Sequence, residues 1–73
     1  MEYQMKVKEL DKNTLYPIDV LAGMTGLGFD TIHRLEREGR FSFQQNEKGE
    51  QTVKGEDFLT WAESVDHRIE IDA

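Results

Sequence analysis

The run Ala22-Gly23-Met24-Thr25-Gly26-Leu27-Gly28-Phe29-Asp30-Thr31-Ile32-His33-Arg34-Leu35-Glu36-Arg37-Glu38-Gly39-Arg40-Phe41 decides the fold. Gly23, Gly26 and Gly28 crowd a stretch too short for a helix interior to tolerate them all, so a stop and a turn lie between 23 and 28. A phosphate-cradling loop would need a preceding strand and a lysine that this stretch lacks, so turn geometry explains the glycines. Upstream, Pro17 suits the first position of a helix, where its missing N–H costs nothing. Ile18, Leu21 and Ala22 follow at helical spacing with Asp19 near the positive end, which predicts a first helix over 17–24. Downstream, Gly28 is an N-cap and Asp30 favours the first turn of a second helix over 28–38. Gly39 closes it as a C′ residue able to take a positive φ.

On this second helix Ile32 and Leu35 face inward, flanked by Thr31 and Glu36. Asp30, His33, Arg34 and Arg37 face the other way at i, i+3, i+4 and i+7, and Asp30 precedes Arg34 in the favourable order for an ion pair. Phe29 falls at the margin of the core face and is expected to pack against the first helix, the alternative being an exposed anchor for a protein partner. Beyond Gly39, Arg40-Phe41-Ser42-Phe43-Gln44-Gln45 alternates polar and aromatic residues like a half-buried strand. Asn46-Glu47-Lys48-Gly49 makes a loop and Glu50-Gln51-Thr52-Val53 a returning strand, together a hairpin. Phe58, Trp61, Ala62 and Val65 recur at i, i+3, i+4 and i+7 and predict a last helix over 56–65. Trp61, Phe58, Phe41 and Phe43 are the large side chains that close so small a core.

The ends carry less signal. Tyr3, Met5 and Val7 alternate with polar residues as a weak strand, Asp11-Lys12-Asn13 supplies a turn, and Ile69 and Ile71 alternate in the tail, where they either frame a short extra strand or fray. The expected organisation is an N-terminal extension (1–13), one folded domain (14–65) and an acidic C-terminal tail (66–73). The expected class is mainly α with a small β-hairpin: three short helices plus a wing.

Seventy-three residues allow one domain with a thin core, so a partner or a dimer would add useful stability. There is no cysteine, hence no disulfide or thiolate site. No apolar run has the length of a signal peptide or a bilayer span, so a cytoplasmic location away from membranes is expected. With only His33 and His67 as nitrogen ligands and no carboxylates at matching spacings, neither a metal nor another cofactor is expected. Ser42 and Ser64 have no histidine nearby in sequence, and the carboxylates form no acid–base pair, so no enzyme is expected.

Charge sets a tension. Fifteen acids against nine Lys and Arg leave a net charge of −6, which opposes the long-range approach of a polyanion. Residues 14–65 alone hold nine acids and five bases, so the acidity belongs to the folded part and not to an appended tail.

The stretch Thr31-Ile32-His33-Arg34-Leu35-Glu36-Arg37-Glu38-Gly39-Arg40-Phe41, followed by a short hairpin and by Asp57-Phe58-Leu59-Thr60-Trp61, resembles the excisionase and AlpA-like group of the MerR-type winged helix-turn-helix superfamily. The resemblance covers about residues 14–65. In that group a Thr-Val-x-Arg-like stretch opens the recognition helix, a Gly-Arg pair leads into the wing, and an aromatic residue on the last helix packs under both. Thr31, Ile32, Arg34, Gly39, Arg40 and Trp61 match those positions. The resemblance implies a small DNA-binding architectural factor or transcription regulator of phage or mobile-element type. Its helix 28–38 would enter the major groove of double-stranded DNA, and its wing 44–49 would follow the backbone or minor groove.

The candidate contacts are then Thr31, His33, Arg34, Arg37, Arg40, Gln45 and Lys48. Arg34 and Arg37 suit bidentate contact to guanine, and Arg40 suits a phosphate unless it pairs with Glu36. Lys48 sits at the wing tip, where Gln44, Gln45 and Asn46 add hydrogen-bonding groups. With about four cationic contacts, affinity for DNA would be weak and a homodimer or a cooperative filament would strengthen it. The alternative is an acidic winged-helix module that binds a protein through Asp30, Glu36, Glu38, Glu47 and Glu50, for example a phage protein that modulates a host protein without binding DNA.

Overall fold

A computed structural model describes residues 1–71; the last two residues of the acidic tail, 72–73, lie outside the described part. The chain runs β1 (Glu2–Gln4), β2 (Leu15–Pro17), α1 (Ile18–Thr25), α2 (Phe29–Arg37), β3 (Gln44–Gln45), β4 (Gln51–Lys54), α3 (Gly55–Ser64) and β5 (Arg68–Glu70). All strand pairing is antiparallel: β2, β4 and β3 form one sheet in that order, and β1 pairs with β5 in a second. Helix accounts for 38% and strand for 21%, so the chain is mixed α/β and not mainly α.

The helices follow the apolar period. Leu21, Ile32, Leu35, Phe58, Trp61 and Ala62 point inward from the three helices and close a core with Tyr16, Leu27, Phe41 and Val53. Phe41, Phe58 and Trp61 sit with ring centroids 5.5–5.9 Å apart, the spacing of offset and edge-to-face aromatic packing. Pro17 ends β2 and caps α1, so the first helix begins one residue later than the proline placed it.

The α1–α2 turn is held from inside. Thr25 is fully buried; its hydroxyl donates to the Leu21 carbonyl at 2.8 Å and accepts from the Leu27 amide at 3.3 Å. Gly26 takes φ 82°, and a side chain there would run into the Tyr3 hydroxyl, which donates to the Thr25 carbonyl at 2.9 Å. At the far end of α2, the Arg40 amide bonds the Leu35 carbonyl and the Gly39 amide bonds the Glu36 carbonyl, both at 3.0 Å, with Gly39 at φ 79°. This is a Schellman closure, and it fixes the direction in which the chain leaves α2.

Three elements differ from the sequence expectation. β2 had no forecast: only Tyr16 of its three residues is buried, and its hydrogen bonds go to β4, which follows in the chain by more than thirty residues. The aromatic run from Arg40 forms a strand only at Gln44–Gln45, because Phe41 and Phe43 are spent on the core before pairing with β4 begins. The strands read weakly at both ends do form, but they pair with each other, Tyr3 opposite Ile69, and Met5 and Ile69 join the core, so the segments drawn as an extension and a tail belong to the folded part. The Met5 amide donates to the His67 carbonyl at 2.7 Å, extending that junction.

Candidate nucleic-acid interface

The candidate contacts divide into three groups. His33, Gln45 and Lys48 lie around one region: His33 lines a cleft with Pro17, Ile18, Asp19, Phe29, Glu50 and Gln51. Gln45 and Lys48 line the adjoining cleft, which shares Pro17 and Glu50 with the first. The His33 ring meets Phe43 edge-on, with centroids 5.4 Å apart and planes at 88°, which fixes the imidazole as a wall between α2 and the hairpin.

Arg34 goes elsewhere. Its Nη2 donates to the Glu70 carbonyl of β5 at 3.3 Å, and Glu38 Oε2 stands 3.8 Å from its Nε. That Nε is buried and makes no hydrogen bond, so the carboxylate compensates its charge at ion-pair range only. Arg40 turns toward α3, lining a cleft with Glu56, Asp57 and Trp61, and it pairs with Glu38 at 3.5 Å and not with Glu36. One carboxylate therefore holds two of the arginines expected to meet DNA.

The Asp30–Arg34 pair that the spacing favours does not form among the described residues. A Cβ on Gly28 would stand 2.7 Å from Asp30 Oδ1, which places that carboxylate back over the helix N-terminus, where the exposed amides and the dipole favour a negative charge. Arg34 is left to Glu38, one turn further on. Arg37 is exposed, as is Lys48, and neither has an acidic partner among the described residues. Thr31 is half-buried beside the core position Ile32.

The hairpin tip is organised by Asn46. Its Oδ1 accepts from the amides of Lys48 and Glu50, both at 3.0 Å, and its Nδ2 donates to Glu50 Oε1 at 3.1 Å. An asparagine counted among the polar contacts of the tip is thus occupied in shaping it, and it presents Lys48.

Phe29 is the largest departure. It is 56% exposed and stands open at the start of α2, against the expectation that it packs on α1. Its place among the core residues is taken by Leu27, a turn residue buried at the α1–α2 junction. Sequence reasoning also missed that Asp19 and Glu50 meet at this spot, since they are brought together only by the β2–β4 pairing.

No helix among the described residues is long and apolar enough to cross a membrane. Set against models of known protein families, curated proteins and solved structures, the chain gives no match.

Proposed function

We propose that this chain is a small winged helix-turn-helix protein that binds double-stranded DNA, an excisionase-like architectural factor or transcription regulator. The observation that carries this reading is the arrangement of α1, the left-handed Gly26 turn and α2 beside a hairpin tipped by Lys48, with Arg37 and Lys48 both free of acidic partners among the described residues. In this reading α2 enters the major groove and the β3–β4 hairpin serves as the wing. Arg37 and Lys48 supply the resting positive charge, while Thr31, His33 and Gln45 offer hydrogen-bonding groups nearby. Arg34 and Arg40 contribute only on leaving Glu38, which makes them secondary contacts. Affinity of a single copy is accordingly weak, and a homodimer or a filament along DNA raises it.

The second reading, an acidic module that binds a protein instead, is favoured by the neutralisation of two arginines by Glu38. An NMR amide titration with short generic duplex DNA at roughly 50 mM salt separates the two, because phosphate contacts are strongest at low ionic strength. Shifts confined to residues 28–40 and 44–49 that fade as salt rises support DNA binding. Unmoved amides at millimolar duplex overturn it.

A further inference from the structure

The cleft between the start of α1, the start of α2 and strand β4 has a composition unlike a DNA site. It is shallow, about 290 Å³, and its lining includes Pro17, Ile18 and Phe29 as apolar surface and Asp19 and Glu50 as carboxylates. Asp19 is exposed, and neither it nor Glu50 has a cationic partner among the described residues. Asp30, with its carboxylate at the N-terminus of α2, adds a third negative charge beside Phe29. Among the described residues, the only other titratable group lining the cleft is the His33 imidazole, held edge-on by Phe43.

We infer that this cleft docks a protein partner through an arginine side chain, seated on the Phe29 ring and held by the carboxylates of Asp19 and Glu50. An exposed aromatic face attracts a guanidinium through its quadrupole, and the flat ion keeps its fork free for carboxylates while it stacks. A lysine ammonium is more strongly hydrated and lacks that geometry, so arginine is the better fit. Phosphate is disfavoured by the same carboxylates, and the net charge of −6 draws a basic partner from a distance. Arg37 and Lys48 do not line the cleft, although His33 does and the Lys48 cleft shares Pro17 and Glu50 with it, so duplex DNA on α2 and the hairpin would compete with this partner.

The test uses the full chain without DNA and a synthetic peptide carrying two arginines among leucines and glycines, with twins in which lysine or neutral citrulline replaces each arginine. NMR titration at low salt reads the result. The arginine peptide shifts the amides of residues 18–19, 29–33 and 50–51, and the citrulline twin binds at least about tenfold more weakly. Phe29→Ala and Asp19→Asn with Glu50→Gln each weaken the arginine peptide without altering the core resonances, since these side chains lie on the surface and the glutamine amide oxygen still accepts from Asn46 Nδ2. Equal binding by the lysine twin that is indifferent to Phe29→Ala overturns the proposal in favour of diffuse charge attraction. Unmoved amides at about 1 mM peptide overturn it, because that bound leaves no useful affinity. Concentration-dependent shifts of the free protein that vanish in Arg37→Ala overturn it in favour of a second copy as occupant, and shifts at these residues with duplex DNA but not peptide overturn it in favour of nucleic acid.

Discussion

Arg34 in the middle of α2 donates through Nη2 to the backbone carbonyl of Glu70 in β5 at 3.3 Å, a contact spanning 36 residues of chain. A side chain that the helical spacing places on the polar face of α2 thus ties β5 to the helix. Arg34→Ala is expected to lower amide-exchange protection at Ile71, whose N–H bonds the Met1 carbonyl at 2.9 Å as a continuation of that strand pair. The loss of global stability is about 1 kcal/mol or less, because the Arg34 side chain is 36% exposed and water replaces part of the bond. Arg34→Lys does not restore it, since a single ammonium cannot face Glu38 and Glu70 together. A variant that keeps full protection at Ile71 yet loses DNA binding would instead make Arg34 a groove contact.

DNA binding, if it rests on Arg37 and Lys48, has a shallow salt dependence. Counterion release scales with the number of phosphates neutralised, so two or three contacts give a log–log slope of about −2 to −3. Arg37→Ala and Lys48→Ala each reduce that slope by about one and weaken binding, whereas Arg40→Ala changes it less. Fluorescence anisotropy of a labelled duplex across a salt series gives the slopes directly. A slope of about −3.5 to −4, the value for four contacts, would mean that Arg34 and Arg40 abandon Glu38 on binding.

The pattern of these contacts explains which parts of the molecule a sequence can reveal. Helix boundaries emerged within a residue or so because Leu21, Ile32, Leu35, Phe58 and Trp61 repeat at helical spacing and Gly26 and Gly39 punctuate them. Strand β2 stayed hidden because three residues ending in proline carry no period, and their signal resides in the partner strand. The sequence supplies candidate contacts as a list of side chains and not as an arrangement. Local spacing favoured Asp30 with Arg34, while the helix N-terminus drew Asp30 back and left Arg34 to Glu38 and to the distant Glu70. Exposure of Phe29 depended on Leu27 filling the core first, a competition that neighbouring apolar residues do not announce.

The Thr25 hydroxyl holds the α1–α2 turn from inside, beside the Tyr3 hydroxyl that caps it. Thr25→Val keeps volume and shape but removes the donor to Leu21 and the acceptor for the Leu27 amide, leaving that amide unpaired in a buried place. The expected loss is about 1–3 kcal/mol, the usual penalty for an unsatisfied buried group. Urea denaturation followed by circular dichroism measures it, with an unchanged slope showing that the same surface unfolds. Loss of less than about 0.5 kcal/mol would mean that the turn is held by Gly26 and Tyr3 alone, the Thr25 hydroxyl being worth no more than an average exposed bond.

Whether the two termini belong to the cooperative fold is decided at Ile69. This side chain is 8% exposed, sits opposite Tyr3 and packs into the same cluster as Met5 and Trp61. Ile69→Ala removes buried methylenes and leaves a cavity that short strands cannot collapse around, so about 2–3 kcal/mol should be lost. Phe29→Ala removes a larger side chain from an exposed position and should change stability by less than about 0.5 kcal/mol. If the fold ended at residue 65, the difference would vanish, with Ile69→Ala as neutral as Phe29→Ala and no coupling between β1 and the helices. Thermal unfolding of the two variants side by side therefore tests the packing of β5 by a difference: the smaller truncation must cost more, because burial and not side-chain size sets the cost.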